Sequence, residues 1–278
     1  MFSVKFDNNN VYITNCGGFD LPHTLDCGQA FRWEETENDR WRGVAFNKYL
    51  ELEKLADGTV VLYNTTKEDF EGVWRHYFDL ERDYGEIINA ISADEILKRA
   101  SEYAHGIRVL NQEPWETLCS FIISQNNNIK RIKGIISRLC ENFGENKCGF
   151  YTFPSAEKIA GLTLDNLSVL RSGFRAKYIL DAAKKVASGE VELERLKTIP
   201  TDEARAELMK ITGVGPKVAD CVLLFALEHA DAFPKDVWIK RAMQVLFDGE
   251  LPECAKPYAG ITQQYIFLYA RETKLAID

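Results

Sequence analysis

In the stretch LMKITGVGPKVADCVLLFAL, residues 208–227, Lys217 directly follows a Gly213-Val214-Gly215-Pro216 turn and directly precedes an apolar helical run. At an ordinary helix start such a lysine is a solvated cation. On a helix, however, it shares a face with Cys221 and Leu224, at i+4 and i+7, and that face is apolar. Lost hydration there disfavours the ammonium and makes a neutral amine, a nucleophile, accessible near neutral pH. Nineteen residues on, AFPKDVWIKRAM brings Asp236 to the head of another helical run. Its plain role is N-cap. A capping carboxylate receives backbone N–H bonds and stays ionised, so it suits a fixed negative charge facing a nascent cation better than a proton acceptor. Amine and carboxylate then stand on adjacent helix N-termini, facing one cleft.

Particular elements must hold that pair. Thr201 is expected to cap a helix with Asp202 and Glu203 in its first turn and Ala204, Leu208 and Ile211 on its apolar face. Gly213 and Gly215 permit positive φ and close backbone approach, and Pro216 suits the first turn of the next helix. The spacing predicts a helix–hairpin–helix over about residues 202–227, whose hairpin (Gly213, Val214, Gly215) and helix-start amides seat a backbone phosphate. Upstream, VYIT, WRGVAF, YLELEK and TVVLY are short β-rich runs, with Asp57-Gly58 a hairpin turn between the last two. Residues 67–104 turn helical, with Phe70, Val73, Trp74 and Tyr77 on one stripe and Ile87, Ile88 and Ile91 on another. From about residue 113 onward apolar residues recur at helical spacing, SAEKIAGLTLDNLSVL included, with Gly144, Gly173, Gly213 and Gly249 at helix ends. The expected class is α+β, mostly helical. An antiparallel β-sheet domain with flanking helices over 1–105 packs against a helical domain over 106–278.

A net charge of −8 and a pI near 5.2 argue against a nucleic-acid partner. The distribution removes the objection: residues 1–105 carry net −9, whereas 126–185 carry net +6. Seven cysteines without a C-x-x-C suggest neither a zinc site nor a disulfide framework. No apolar run reaches the ~18 residues of a membrane span, and the N-terminus lacks a signal-peptide core. A soluble, intracellular protein follows, expected to be a monomer without contact to a membrane.

LMKITGVGPKVADC followed by PKDV resembles the helix–hairpin–helix DNA glycosylase superfamily with its Gly/Pro-Asp signature. CGQAFRW (27–33), SQNNNIKRIKGIISRLCENFG (124–144), LRSGFRAKYI (170–179) and YAGITQQYIF (258–267) resemble, in order, segments of the 8-oxoguanine DNA glycosylase/lyase family. The resemblance implies a small antiparallel β-domain beside a helical domain, double-stranded DNA containing 8-oxoguanine as partner, and no required cofactor or metal. The hairpin carbonyls are a candidate seat for a monovalent cation. It implies that Lys217 attacks the sugar C1′ as the base leaves, giving a Schiff base, and that Asp236 stabilises the oxocarbenium-like charge. The target nucleotide must leave the stack for this chemistry. The implied base pocket is Gly28, Cys221, Gln263 and Phe267. The Gly28 carbonyl accepts the N7–H that distinguishes 8-oxoguanine, a contact worth roughly 1–3 kcal/mol. Asn126, within an asparagine run that otherwise reads as a helix boundary, would fill the gap left by the flipped base. Phe174 would wedge into the step, and Arg131 and Arg175 would read the partner cytosine; phosphate contact is the other reading of the two arginines. Trp238 stands where the family commonly has His, and Phe174 where eukaryotic members carry Tyr. A monofunctional alkylpurine relative lacks the hairpin lysine, and a non-catalytic DNA-binding module has no use for Asp236 paired with it.

Overall fold

The computed structural model describes residues 2–15 and 18–273. Its N-terminal part is a six-stranded antiparallel sheet: β1 (Ser3–Asp7), β2 (Asn10–Thr14), β3 (Trp33–Glu35), β4 (Trp41–Ala45), β5 (Lys48–Lys54) and β6 (Val60–Tyr63), in the order β1-β2-β6-β5-β4-β3. Strand β1 is absent from the sequence reading because its residues are mostly exposed and show no apolar alternation. The signal for it lies in the turn, where Asn8 and Asn9 both take positive φ (48° and 61°), as a two-residue hairpin requires. Val11, Ile13, Leu50, Leu52, Val60 and Leu62 point to one face and are buried there. They meet Phe70, Trp74, Tyr77 and Phe78 from the helical segment that follows, and Trp33 Nε1 donates to Tyr77 Oη at 2.7 Å.

Among the described residues nine helices have eight or more residues: α1 (Tyr84–Ile91), α2 (Glu95–Tyr103), α3 (Pro114–Ser124), α4 (Ile129–Phe143), α5 (Arg175–Ala187), α6 (Thr201–Leu208), α7 (Pro216–Ala226), α8 (Val237–Phe247) and α9 (Ala259–Glu272). A second core, continuous from Tyr84 to the last helix, fills the space between them. Apart from Leu110, which joins the sheet core, and Cys27 and Phe31, which join the helical one, the two cores divide between Leu80 and Tyr84, ahead of the boundary at 105 that the sequence suggested. The reason is that α1 and α2 turn Ile87, Ile91 and Leu97 away from the sheet, and α2 lies against α9, where Tyr103 meets Tyr269 edge-on at 5.8 Å. SAEKIAGLTLDNLSVL forms short turns of helix, Ala156–Ala160, Leu164–Leu167 and a 3-10 turn at Ser168–Leu170, since Gly161 and the Thr163–Asn166 capping box interrupt it.

The segment between the cores carries Gly28. Cys27 and Phe31 enter the helical core, whereas Ala30 and Trp33 enter the sheet core. Gln29, 1% exposed, holds the crossing in place. Its Nε2 donates to the carbonyls of Thr24 and Arg108, both at 2.8 Å, and its Oε1 accepts from Leu110 N at 2.9 Å. Its own carbonyl accepts from Gln112 Nε2 at 2.7 Å, and Gln112 N donates to Phe225 O at the end of α7. A side-chain amide thus does the work of a β-bridge at the junction.

Candidate active site and nucleic-acid interface

Helices α6 and α7 form the expected hairpin, joined by the half-buried ion pair of Arg205 Nε with Asp220 Oδ1 at 2.6 Å. Thr201 does not cap α6. The cap position falls to Pro200, and Thr201, one residue into the helix, turns its hydroxyl to the Asp231 carboxylate (2.7 Å) and His229 Nδ1 (2.9 Å). Gly213 takes φ +84°, and a Cβ there would lie 2.4 Å from the Tyr178 ring of α5. Both constraints admit only glycine. The Asp181 carboxylate on α5 accepts from Thr212 N at 2.7 Å, so α5 braces the turn twice. Val214 is buried, whereas Gly215, at φ −101°, faces open space. No side chain caps α7. Its N-terminus is therefore available to an anion.

Lys217, half-buried in the first turn of α7, holds its Nζ 5.2 Å from the centroid of the Phe121 ring. Phe121 of α3 is fixed by an edge contact with Phe31 (5.7 Å) and a stack on Phe225 (5.5 Å, 15°). The amine thus rests on an aromatic platform, an arrangement that orients a cation. One turn along α7, burial pushes the Cys221 thiol up to about 11, against the pull of Lys217 beside it; the carboxylates of Asp220 and Asp236 add to the rise. Asp236 is the N-cap of α8 and accepts from Ile239 N at 2.7 Å, as its place in the sequence predicts.

Of the other residues that the resemblance assigns to a base pocket, Gln263 bonds to the same loop and reaches the Gly28 segment through its neighbour. Gln263 of α9, 4% exposed, donates through Nε2 to Pro234 O at 3.2 Å, two residues before Asp236. Its Oε1 accepts from Gln264 Nε2 at 2.5 Å, and Gln264 Oε1 accepts from Cys27 Sγ at 3.6 Å. This chain of amides links the Asp236 loop to the Gly28 segment. Gly28 takes φ +88° with open space where a Cβ would stand. Phe267, half-buried one turn past Gln263, lies 5.8 Å beneath the Arg271 guanidinium. Phe121, Gln29 and Gln264 escape sequence reasoning, since each reads locally as an ordinary core or helix residue.

Asn126 is exposed at the end of α3 in the left-handed region (φ 48°), and Asn128 caps α4, accepting from Arg131 N at 2.9 Å. The asparagine run is thus an interhelical turn, as its composition indicates. Arg131 is exposed on the first turn of α4, and Phe174 is 49% exposed just before α5. Arg175 differs from the exposed arginine that base reading implies: it is 2% exposed, with its guanidinium turned onto backbone carbonyls of Gln125, Asn126 and Ser172. Burial, then the charge of Arg131, holds it below the usual arginine value. Trp238, in the first turn of α8, is 53% exposed, whereas the other four tryptophans are buried. Among the described residues no three His, Cys, Asp or Glu side chains converge as metal ligands would, and no helix is long and apolar enough to cross a membrane.

Comparison with known proteins bears on the whole length. Residues 11–118 match the 8-oxoguanine DNA glycosylase N-terminal domain, and 119–250 match the HhH-GPD superfamily of base excision DNA repair proteins. The N-glycosylase/DNA lyase of Saccharomyces cerevisiae is 33% identical over 80% of this chain, a match spanning 66% of the yeast protein. The Clostridium acetobutylicum 8-oxoguanine glycosylase/lyase, solved with double-stranded DNA containing cytosine opposite 8-oxoG, is 40% identical with a TM-score of 0.90 over 99% of both chains. MBOgg1, solved with a low-affinity DNA ligand, is 42% identical with a TM-score of 0.91, again over 99% of both chains. Likeness at this level extends through both cores and the crossing between them, and the chain belongs to the 8-oxoguanine DNA glycosylase/lyase family of base-excision repair.

Proposed function

We propose that the protein excises 8-oxoguanine paired with cytosine in duplex DNA and then breaks the strand at the sugar left behind. The target nucleotide is everted, because C1′ is inaccessible within a stacked duplex. Lys217 Nζ attacks C1′ as the N9–C1′ bond breaks; the bonding pair leaves with the base, which takes up a proton. Opening of the C1′–O4′ bond then gives an iminium between C1′ and Lys217. The iminium acidifies C2′; loss of that proton and cleavage of C3′–O3′ release the 3′ phosphate as β-elimination. The Asp236 carboxylate, oriented by the N–H bond it accepts from Ile239, faces the positive charge that develops on the sugar. Gly28 offers its carbonyl to the N7–H of the lesion, Gln263 the Watson–Crick edge contact, and Cys221 and Phe267 the two faces of the ring. Asn126 and Phe174 enter the duplex, and the hairpin at Gly213–Gly215 seats a phosphate.

One observation carries the reading: a half-buried amine, Lys217, stands on the Phe121 ring in the first turn of a helix that no side chain caps, and the Asp236 carboxylate caps the next helix at a loop that Gln263 holds through Pro234 O. A binding module has no use for that pairing. The opposite cytosine is supported by the DNA held in the Clostridium structure. The test is incubation with an 8-oxoguanine:cytosine duplex and borohydride, followed by peptide mapping. An adduct on Lys217 is expected. Free base without an adduct points instead to a monofunctional glycosylase, and neither product points to another lesion or to binding alone.

A further inference from the structure

We propose that Lys133 is a positioning residue: it holds the Gly28 segment at a fixed distance from α4 and so sets how closely the Gly28 carbonyl meets the lesion base. The proposal deepens the functional reading above, in which that carbonyl accepts from N7–H, and it rests on that reading. Gly28 does not hold itself. It takes φ +88°, one of several conformations open to glycine, and no atom lies within 4 Å of the place a Cβ would occupy. Its carbonyl is therefore aimed only as accurately as the rest of residues 26–33 is held. Gln29 ties that segment to Thr24, Arg108 and Leu110. A second tie comes from α4.

Lys133 Nζ donates to Trp33 O at 2.8 Å and stands 3.5 Å from Asp26 Oδ1, so it meets the segment at both ends. Strand β3 is the outermost of the sheet, and Val44 N of β4 donates to Arg32 O at 3.4 Å. The alternation of an antiparallel pair then turns the Trp33 carbonyl away from β4, toward the open edge. There the ammonium supplies the donor that another strand would supply. The Asp26 contact is longer and largely exposed, and contributes less. Packing does not replace this bond. Beside it, α4 and the sheet edge part around a cleft of about 360 Å³ lined by Phe31, Val44, Gly134, Ser137 and Phe150. Helix α4 itself is well anchored, with Ile132, Ile135, Ile136 and Leu139 buried along one face. Two residues along a helix turn the side chain by about 200°, so Lys133 leaves α4 on the side away from Arg131. In the functional reading Arg131 faces the duplex; Lys133 faces the Gly28 segment.

The experiment compares two single-turnover rates in one preparation: excision of 8-oxoguanine opposite cytosine, and strand cleavage at a preformed abasic site opposite cytosine. The first needs the base seated against Gly28, whereas the second needs only Lys217 and the sugar. Their ratio does not depend on the fraction of protein folded, so it stands even where a variant folds poorly. Lys133→Met keeps the apolar stem and loses the donor. The ratio of excision to abasic cleavage is expected to fall about 10–100-fold, with the Kd for undamaged duplex retained. Lys133→Arg keeps a cation with N–H donors and should restore most of the loss. An unchanged ratio in Lys133→Met overturns the proposal, as does an equal fall in Lys133→Arg. A weaker Kd with a shallower salt dependence and an unchanged ratio also overturns it, and makes Lys133 a phosphate contact. Wild type that neither releases 8-oxoguanine nor cleaves the abasic site is a different failure; it removes the functional reading itself and this inference with it.

Discussion

At the scale of single residues, the amine is the sharpest point of test. Lys217→Gln removes the nucleophile but keeps the length and polarity of the side chain. Excision and strand breakage should fall on the order of 10³-fold or more, with affinity for intact duplex retained. Residual nicking with a trapped adduct elsewhere would identify another amine. Trp238 offers a second measurement. It is the one exposed tryptophan of the five, in the first turn of the helix that Asp236 caps. DNA that reaches Asp236 must cover it, so duplex binding should quench a large part of the acrylamide-accessible emission. Trp238→Phe should abolish that change. Lys217 and Asp236 were legible from residue type and spacing alone, because helix N-termini announce themselves in sequence. Gln29 and Gln264 were not: their partners lie far along the chain, on Arg108 and Leu110 for one and Cys27 for the other.

At the scale of elements, the hairpin separates two glycines that look alike in the sequence. Gly213→Ala meets both a positive φ and the Tyr178 ring at 2.4 Å, so stability should drop by about 1–3 kcal/mol, measured by denaturant unfolding. Gly215→Ala, at φ −101° with open space around the new methyl group, should unfold within about 0.5 kcal/mol of wild type. Its cost should appear instead in the Kd for undamaged duplex, since the methyl group occupies the space a phosphate enters. Equal stability of the two variants would remove Tyr178 as the brace of the turn. The hairpin itself was readable from Gly, Pro and apolar spacing. The brace was not, because α5 lies well upstream and meets the turn only after folding. Thr201 misled for a related reason: its type suits a cap, but Pro200 takes that position and Asp231 and His229 draw the hydroxyl away.

At the scale of the molecule, the two cores are joined by the Gly28 crossing and by an ion pair, Arg32 Nη1 with Glu116 Oε2 at 3.2 Å. Burial pushes the Glu116 carboxyl up to about 7, against the pull of Arg32, with Glu113 adding to the rise. A carboxyl whose folded value lies above its unfolded value contributes stability that is complete below the unfolded value of about 4.5 and is lost as pH rises through about 7. Between pH 5 and pH 8 this group should therefore cost on the order of 1–3 kcal/mol, and Glu116→Gln should flatten that part of the profile. Denaturant unfolding of both proteins at the two pH values decides it; parallel profiles would show that Glu116 does not titrate there. By itself the sequence determined the α+β class, the hairpin with its lysine and the capping aspartate, all of which depend on contacts within a few residues. Tertiary structure alone decided where the cores divide, that Arg175 faces inward onto carbonyls, and that Phe121 carries the lysine. Each of those depends on which distant surfaces meet, and local periodicity holds no record of that.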